Sequence, residues 1–192
     1  MSNIVKGLGD LILVRGTESE RDSYSRVLSP DGVADLRWYL GGPVRRQIRE
    51  VGKLKISRDV SFVFGHTHKP FQGELEVKEY PQPVAVYNTG GWVMDQPTMA
   101  PTQGAAAVFI DGELNLASLR LFNDPLNGAC APVSAAGVGG FRDGDNPLLA
   151  RMKDALGVTA TAWQAFSAQA SAALEVHARV LLKESLEPDI RL

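Results

Sequence analysis

The stretch from residue 60 to residue 122 most constrains the fold, because its apolar residues come in short runs and not at helical spacing. The run Val60-Ser61-Phe62-Val63-Phe64 is rich in β-branched and aromatic residues, which is typical of a buried strand. The pair Asp111-Gly112 stands between two later runs and is a strong hairpin signal. The pattern predicts a region dominated by short antiparallel strands, over residues 60–64, 74–77, 84–87, 105–110 and 114–121.

Helical signals lie on both sides of this region. Ser29-Pro30-Asp31 marks a helix start, because proline is tolerated in the first turn and a Ser or Asp oxygen can cap free N–H groups. Gly41-Gly42-Pro43 predicts an interruption before a second short helix, since proline supplies no interior N–H. A helical tail is predicted after Pro147, with an amphipathic face formed by Trp163, Phe166, Ala170, Leu174, His177 and Leu181.

These patterns divide the chain into four predicted segments. Residues 1–57 hold an N-terminal strand, at Leu11-Ile12-Leu13-Val14, and a helical segment. Residues 58–122 hold the short strands, and residues 123–147, rich in Gly, Ala, Pro, Asn and Asp, are interpreted as a linker or long loop. Residues 148–187 form the helical tail. The predicted fold class is therefore mixed, α+β or α/β.

Composition and charge disfavour several classes of protein. Hydrophobic residues make up 44% of the 192 residues and charged residues 22%, as in soluble globular domains. The net charge of -2 disfavours binding to nucleic acid by bulk charge, and no apolar run reaches the roughly 20 residues that cross a bilayer. The single cysteine, Cys130, excludes an intrachain disulfide and a cysteine-based zinc site. We expect a soluble, cytoplasmic protein without a nucleic-acid or membrane partner.

The sharpest local motif is Gly65-His66-Thr67-His68-Lys69-Pro70, directly after the first predicted strand. Two histidines two residues apart can point to the same side, because side chains alternate along an extended backbone. Imidazole nitrogen is a good ligand for Zn, Fe, Ni and, in mixed sites, Mn. A pair of histidines at this spacing also occurs on protein surfaces and in protein cores. The surrounding sequence therefore has to indicate whether this pair binds metal.

That context is a second motif, Tyr87-Asn88-Thr89-Gly90-Gly91-Trp92, two predicted strands further on. The two motifs in this order, with the predicted hairpin behind them, resemble the calcineurin-like metallophosphoesterases over residues 58–122. In that family the Gly-His-x-His element is the last of five metal-binding blocks, and a strand ending in an Asn-Thr-Gly or Asn-Pro-Gly turn usually follows it. The resemblance implies the C-terminal half of a two-sheet β-sandwich flanked by helices, with the helical tail added.

The resemblance also implies roles for individual residues. His66 would coordinate one metal of a dinuclear centre and His68 the other. Gly65, Asn88 and Thr89 match the supporting loop, although Asn88-Thr89-Gly90-Gly91 also fits an ordinary tight turn. Two divalent ions, from among Mn, Fe, Zn, Co and Ni, would hold a bridging hydroxide for in-line attack on a phosphomonoester or phosphodiester substrate. The implied activity is that of a phosphatase-type hydrolase.

The family's other blocks are missing from this sequence. Its three histidines are His66, His68 and His177, so no histidine stands upstream of the motif. Gly9-Asp10 resembles the Gly-Asp block only superficially, since Leu13 occupies the position of the family's Asp or Asn. A stable centre needs three or more protein ligands per metal. The expectation is therefore a C-terminal portion of a phosphoesterase, inactive alone, whose partner is a missing N-terminal half.

Two alternatives remain open at this point. The chain is a non-catalytic remnant or interaction module of the same fold, or a mononuclear metal-binding protein that uses His66, His68 and a nearby carboxylate. Without a first half the strands would expose an apolar face and an unpaired edge, which predicts a poorly soluble, loosely folded or oligomeric chain. Self-association through the helical tail is one form this could take.

The remaining polar features have simpler interpretations. The basic residues between positions 45 and 58 are interpreted as a solvated surface in preference to a substrate-steering patch. His177 is interpreted as a packed or interfacial histidine of the tail. Cys130 has no nearby basic residue to activate it, so no catalytic role is assigned to it.

Overall fold

The computed structural model describes residues 27–52, 60–65, 67–91, 97–98, 103–123, 132–138 and 146–186. Within these ranges helices and strands are mixed, which confirms the general α+β class. The helices are α1 (Pro30–Tyr39), α2 (Arg45–Gly52), α3 (Pro147–Val158) and α4 (Ala160–Leu186), and a π-helical turn (Leu40–Val44) joins α1 to α2. The strands are β1 (Ser61–Phe64), β2 (Phe71–Leu75), β3 (Val84–Asn88), β4 (Gly104–Ile110), β5 (Leu116–Asn123) and β6 (Ser134–Ala136).

β3 is the central strand of the first sheet, whose order is β1-β3-β2. All five of its residues are buried, so both of its faces are covered. β2 pairs with β3 in antiparallel orientation, whereas β1 runs parallel to it, with Phe64 opposite Asn88. The prediction of antiparallel strands is therefore wrong for β1 and β3. The reason is that β3, the most apolar strand of the sheet, takes the centre and separates β1 from β2.

The second predicted strand, over residues 74–77, is displaced towards the N-terminus in the structure. β2 ends at Leu75, and Val77 lies in the connection to β3. Val77 is buried in the core, and its carbonyl accepts a hydrogen bond from the Tyr80 amide at 2.9 Å. The apolar character of Val77 thus reflects a packed turn and not a strand.

One face of the first sheet packs against the N-terminal helical segment. Leu40, Val84 and Val86 are buried together, and the aromatic side chains of Phe62 and Phe64 pack against them. The Tyr80 hydroxyl, in the same cluster, donates a hydrogen bond to the Leu40 carbonyl at 3.0 Å. The π-helical turn is therefore fastened to the sheet by apolar contact and by a buried hydrogen bond.

The opposite face of the first sheet meets the second sheet, whose order is β4-β5-β6. Ala85 and Tyr87 of β3 are buried with Leu116 of β5. The Tyr87 hydroxyl donates a buried hydrogen bond to the Leu116 carbonyl at 3.0 Å. The first sheet consequently lies between a helical layer and the second sheet, and β3 is covered by both.

The N-terminal helical segment begins where the sequence predicts. Ser29 is the N-cap of α1, its hydroxyl accepts a hydrogen bond from the Gly32 amide at 3.0 Å, and Pro30 occupies the first turn. The predicted interruption at Gly41-Gly42-Pro43 is instead the π-helical turn, through which the helical path continues into α2. The wider π-turn accommodates a proline that an α-helical interior would not tolerate without a break.

The predicted hairpin at Asp111-Gly112 is confirmed, because β4 and β5 pair in antiparallel orientation around it. The Asp111 carboxylate organises the loop. Its Oδ1 accepts hydrogen bonds from the amides of Glu113 at 3.0 Å and Asn115 at 2.9 Å. Its Oδ2 forms an ion pair with Arg151 of α3 at 3.0 Å. The loop thus ties the second sheet to the tail.

Asp111→Asn is expected to lower the melting temperature at neutral pH, because a neutral amide oxygen accepts these hydrogen bonds more weakly than a carboxylate. The Asn115 side chain, followed by the amides of Asn115 and Glu113 and by Arg151, lowers the pKa of the Asp111 carboxyl. Since the folded pKa is the lower one, this stabilisation is complete above the ordinary pKa of 3.8 and is lost as the pH falls through the folded pKa. Melts followed by circular dichroism should therefore show a deficit for the variant at pH 7 that disappears in acid. Glu113→Gln, which removes the same charge from the same loop, is the control, and a deficit of equal size in acid would contradict the prediction.

The segment predicted as a linker, residues 123–147, contains strand β6, so that prediction is wrong for Ser134–Ala136. β6 pairs with β5 in antiparallel orientation. Its sequence, Ser-Ala-Ala, has little preference for strands, and the edge of β5 supplies the hydrogen-bond partners that make it one. The position of Cys130 in the same segment lies outside the described residues.

The predicted helical tail is confirmed as two helices. The Asn146 side chain caps α3 by accepting a hydrogen bond from the Leu149 amide at 3.0 Å, and α3 contacts β5 and β6. Trp163 and Phe166 of α4 pack edge to face, with ring centroids 5.9 Å apart. No residue of α4 is buried, and His177 is exposed, so the interpretation of His177 as a packed residue is wrong. Among the helices of the described ranges, none combines the length and apolar character that crossing a bilayer requires.

Candidate functional site

The two sequence motifs meet at one edge of the first sheet. β1 and β3 are parallel, so their carboxyl ends lie side by side, and the loop that follows each strand leaves the sheet at the same edge. The Thr89 amide donates a hydrogen bond to the Phe64 carbonyl at 2.9 Å, which extends this pairing beyond β3. The residues after Phe64 and those after Asn88 therefore form one structural unit. We call it the motif edge, meaning Gly65, Thr67–Pro70 and Asn88–Gly91.

Asn88 joins the two loops through its side chain. Its residue is fully buried, and its Nδ2 donates a hydrogen bond to the Thr67 hydroxyl at 2.5 Å. Its Oδ1 accepts a hydrogen bond from the Gly90 amide at 2.9 Å, which closes a turn of the kind that asparagine favours. One amide side chain thus shapes its own turn and holds the histidine-bearing loop.

His68 is held in a specific backbone conformation at this edge. Its φ of 59° lies in the left-handed region, which non-glycine residues seldom adopt. Its carbonyl accepts a hydrogen bond from the Gly104 amide at 2.9 Å, and the Gly104 carbonyl in turn accepts one from Gly91 at 3.1 Å. A left-handed residue outside glycine persists only where its surroundings hold it, and here the start of β4 does so.

The imidazole of His68 rests against Gly91, with the Nδ1 atom of the ring buried. A β-carbon at position 91 would come within 2.7 Å of the ring Cγ and 3.0 Å of Nε2. The absence of a side chain at Gly91 is therefore what makes room for the ring. Gly91 of the second motif therefore accommodates the ring of His68 from the first motif.

Two basic residues belong to the histidine loop or contact it. Lys69 is fully buried. The guanidinium of Arg120, on β5 in the second sheet, donates a hydrogen bond from Nη2 to the Pro70 carbonyl. Burial lowers the pKa of Arg120 from its usual value, and a guanidinium remains charged under such conditions. The loop is thereby attached to both sheets.

The structure places the other predicted site residues as follows. Gly65 lies next to Thr89, whose hydroxyl oxygen would be 2.8 Å from a β-carbon at position 65. His66, the other predicted metal ligand, lies outside the described residues, as do Asp10 and Trp92. His177 is on α4, which is not one of the elements that form the motif edge. The described residues therefore bring together Gly65, His68, Asn88 and Thr89.

Sequence reasoning assigned no individual role to four residues that shape this edge: Thr67 and Gly91, which stand within the two motifs, and Gly104 and Arg120. Arg120 carried a signal, because it is the one charged residue in the otherwise apolar and small sequence of β5. Leu116 faces the first sheet, and alternation along the strand puts Arg120 on the same face. A charged side chain directed between two sheets must find a polar partner, and that partner is the loop carbonyl. The other three gave no signal of their own.

The fit of this edge to a metal centre depends on its donors. Among the described residues no group of three or more His, Cys, Asp or Glu side chains could hold a metal ion. His68 offers one imidazole, and Asn88 and Thr67 are committed to each other. The described part of the motif edge therefore does not by itself fit a dinuclear centre, which needs three or more ligands per metal.

No protein-family model, curated protein or solved structure matches this chain. What the motif edge can do follows from its own chemistry. It holds an imidazole on a backbone that is fixed by hydrogen bonds from neighbouring strands, next in sequence to the fully buried Lys69. Such an arrangement suits a ligand whose position has to be maintained.

Proposed function

We propose that this chain carries the His66-Thr67-His68 element of a metal-dependent phosphoesterase that hydrolyses phosphomonoesters or phosphodiesters. The observation that supports the proposal is the shared edge of β1 and β3. Two motifs that resemble consecutive elements of the calcineurin-like metallophosphoesterases lie together there, joined by the hydrogen bond from Asn88 to Thr67. An ordinary surface histidine pair would not need a second loop shaped to receive one of its rings.

The fold proposed for the intact protein is the two-sheet sandwich of that family. The packing of Ala85 and Tyr87 against Leu116, between two three-stranded sheets, supports it. The helical segment on the other face of the first sheet also supports it. In this proposal the described sheets are the C-terminal strands of the sandwich.

The described residues do not supply the remaining metal ligands of such a centre. Two imidazoles leave each metal of a dinuclear centre short of protein ligands, and carboxylates are suitable ligands for completing it. We infer that a further polypeptide segment or a partner supplies these groups. When bound, the two cations would activate a water molecule and neutralise charge on the phosphoryl oxygens. The role of this chain's own residues is to hold His68 at the motif edge.

Activity reconstitution tests this proposal. The chain is combined with a complementing fragment that carries the upstream metal-binding blocks of the family it resembles, which include an Asp-x-His and a Gly-Asn-His sequence. Hydrolysis of bis-p-nitrophenyl phosphate is then measured with Mn²⁺ or Zn²⁺. We expect metal-dependent hydrolysis that falls about 1000-fold in the His66→Ala/His68→Ala double variant. His177→Ala, which removes an exposed histidine from α4, is the matched control and should retain full activity.

A second candidate is a non-catalytic interaction module of the same fold. The lack of any three-ligand metal group among the described residues favours it. The same experiment separates the two. An ordered complex with the complementing fragment that hydrolyses neither a phosphomonoester nor a phosphodiester, with either Mn²⁺ or Zn²⁺ present, would support the interaction module. The same result would contradict the proposal of an enzyme.

A further inference from the structure

The loop from Thr67 to Pro70 is held by hydrogen bonds from three different strands. Asn88 of β3 donates to the Thr67 hydroxyl at 2.5 Å, and Gly104 of β4 donates to the His68 carbonyl at 2.9 Å. Arg120 of β5 donates to the Pro70 carbonyl. The first strand belongs to one sheet and the other two belong to the second. The loop therefore bridges the two sheets.

The bond from Arg120 differs from the other two in kind. It comes from a charged side chain that crosses from the second sheet, and a charged donor forms a stronger hydrogen bond than a neutral one. It also acts just beyond His68, whose left-handed backbone needs external support on both sides. The Gly104 bond holds the His68 carbonyl itself, and the Arg120 bond holds the chain two residues later.

We propose that Arg120 is a positioning residue for His68, which fixes the imidazole against Gly91 through the Pro70 carbonyl. The inference deepens the proposed function and rests on it only where metal affinity is concerned. Without Arg120 the loop keeps the Gly104 bond to β4 but loses the side-chain bond from β5 to the Pro70 carbonyl. The ring of His68 then samples orientations away from Gly91, and a metal centre loses the preorganisation of one ligand.

The test compares Arg120→Met with the unmodified chain in the absence of metal. Methionine keeps an unbranched apolar stem but donates no hydrogen bond. We expect the Gly104 amide, which donates to His68, to exchange its hydrogen about tenfold faster, and the ring signals of His68 to shift in NMR spectra. Amides at the start of β3, at the other end of the sheet, should keep their exchange rates.

Arg37→Met is the matched control. Arg37 also donates from its guanidinium to a backbone carbonyl, that of Glu76, at 3.1 Å. Glu76 follows β2 beyond Leu75, which pairs with Val84 at the opposite end of the sheet from the motif edge. This variant should leave the exchange of Gly104 and the ring signals of His68 unchanged.

Unchanged Gly104 exchange and His68 ring signals in Arg120→Met would overturn the inference, and so would faster exchange of all amides together, which reports general destabilisation. If Arg120→Met does not fold, Arg120→Gln decides on the same criteria, because its shorter side chain lacks the charged guanidinium that donates to the Pro70 carbonyl. Zn²⁺ affinity is then measured by calorimetry on the chain combined with the complementing fragment. A complex that binds no Zn²⁺ contradicts the proposed function, whereas the metal-free exchange result of the chain judges the positioning role separately.

Discussion

Gly90→Ala is expected to destabilise the protein by about 3 kcal/mol. Gly90 has a φ of +69°, which an alanine adopts only with strain. Its added β-carbon would lie 2.5 Å from the Gly104 carbonyl oxygen and 2.6 Å from Cδ of Pro70. These neighbours belong to a backbone carbonyl and a proline ring, so neither can move aside as a flexible side chain would.

The loss of stability should appear as a melting temperature lowered by about 6–12 °C. Gly73→Ala is the matched control, because Gly73 lies in β2 of the same sheet and a β-carbon there meets nothing within 4 Å. Both variants add one methyl group to a glycine of the first sheet or its edge. A melting temperature of Gly90→Ala equal to that of Gly73→Ala would contradict the described convergence of the two loops and β4.

Gly91→Ala, one residue later, is expected to affect the site far more than the fold. Gly91 is not among the described glycines with a left-handed φ, so alanine imposes no comparable backbone strain. Its β-carbon would instead overlap the His68 imidazole. The ring of His68 is therefore displaced from its position against Gly91. We expect the Zn²⁺ affinity to fall about 10- to 100-fold, while the melting temperature changes by only a few degrees.

Calorimetric titration with Zn²⁺ of the chain combined with the complementing fragment measures this loss of affinity, and the ring signals of His68 in the chain alone report the displacement directly. Gly73→Ala again serves as the control. A variant that keeps the ring signals of the unmodified chain would show that His68 does not lie against Gly91. Displaced ring signals with unchanged Zn²⁺ affinity would show that His68 is not a ligand. The two measurements therefore test the position of the ring and its metal-binding role independently.

Much of the local structure could be predicted from short-range patterns. Ser29 followed by Pro30 predicts the start of α1, because helix capping depends on hydrogen bonds within a single turn. Asp111-Gly112 predicts the β4–β5 hairpin, because hydrogen bonds between residues close in sequence close its loop. Short apolar runs, such as the one rich in β-branched and aromatic residues before Gly65, predict most of the strands, because such residues favour an extended and buried backbone.

Relations between distant segments could not be predicted in this way. The parallel pairing of β1 with β3 depends on which strand is covered on both faces, and that depends on the second sheet. β6 is a strand because β5 offers it hydrogen-bond partners, although its own residues favour no strand. The left-handed conformation of His68 follows from bonds to β4 that join residues far apart in sequence. The motif edge was therefore predictable as two motifs and not as one unit.

An NMR titration with Zn²⁺ of this chain, isotope-labelled and combined with the complementing fragment, tests the ligand role of the histidines most directly. The chain has three histidines, so their ring signals can be assigned individually with single alanine variants. We predict that Zn²⁺ shifts or broadens the signals of His66 and His68 together and leaves those of His177 unchanged. Equal responses of all three rings, or no response of His66 and His68 at Zn²⁺ concentrations that saturate a specific site, would contradict the claim that the His66-Thr67-His68 element supplies imidazole ligands to a metal centre.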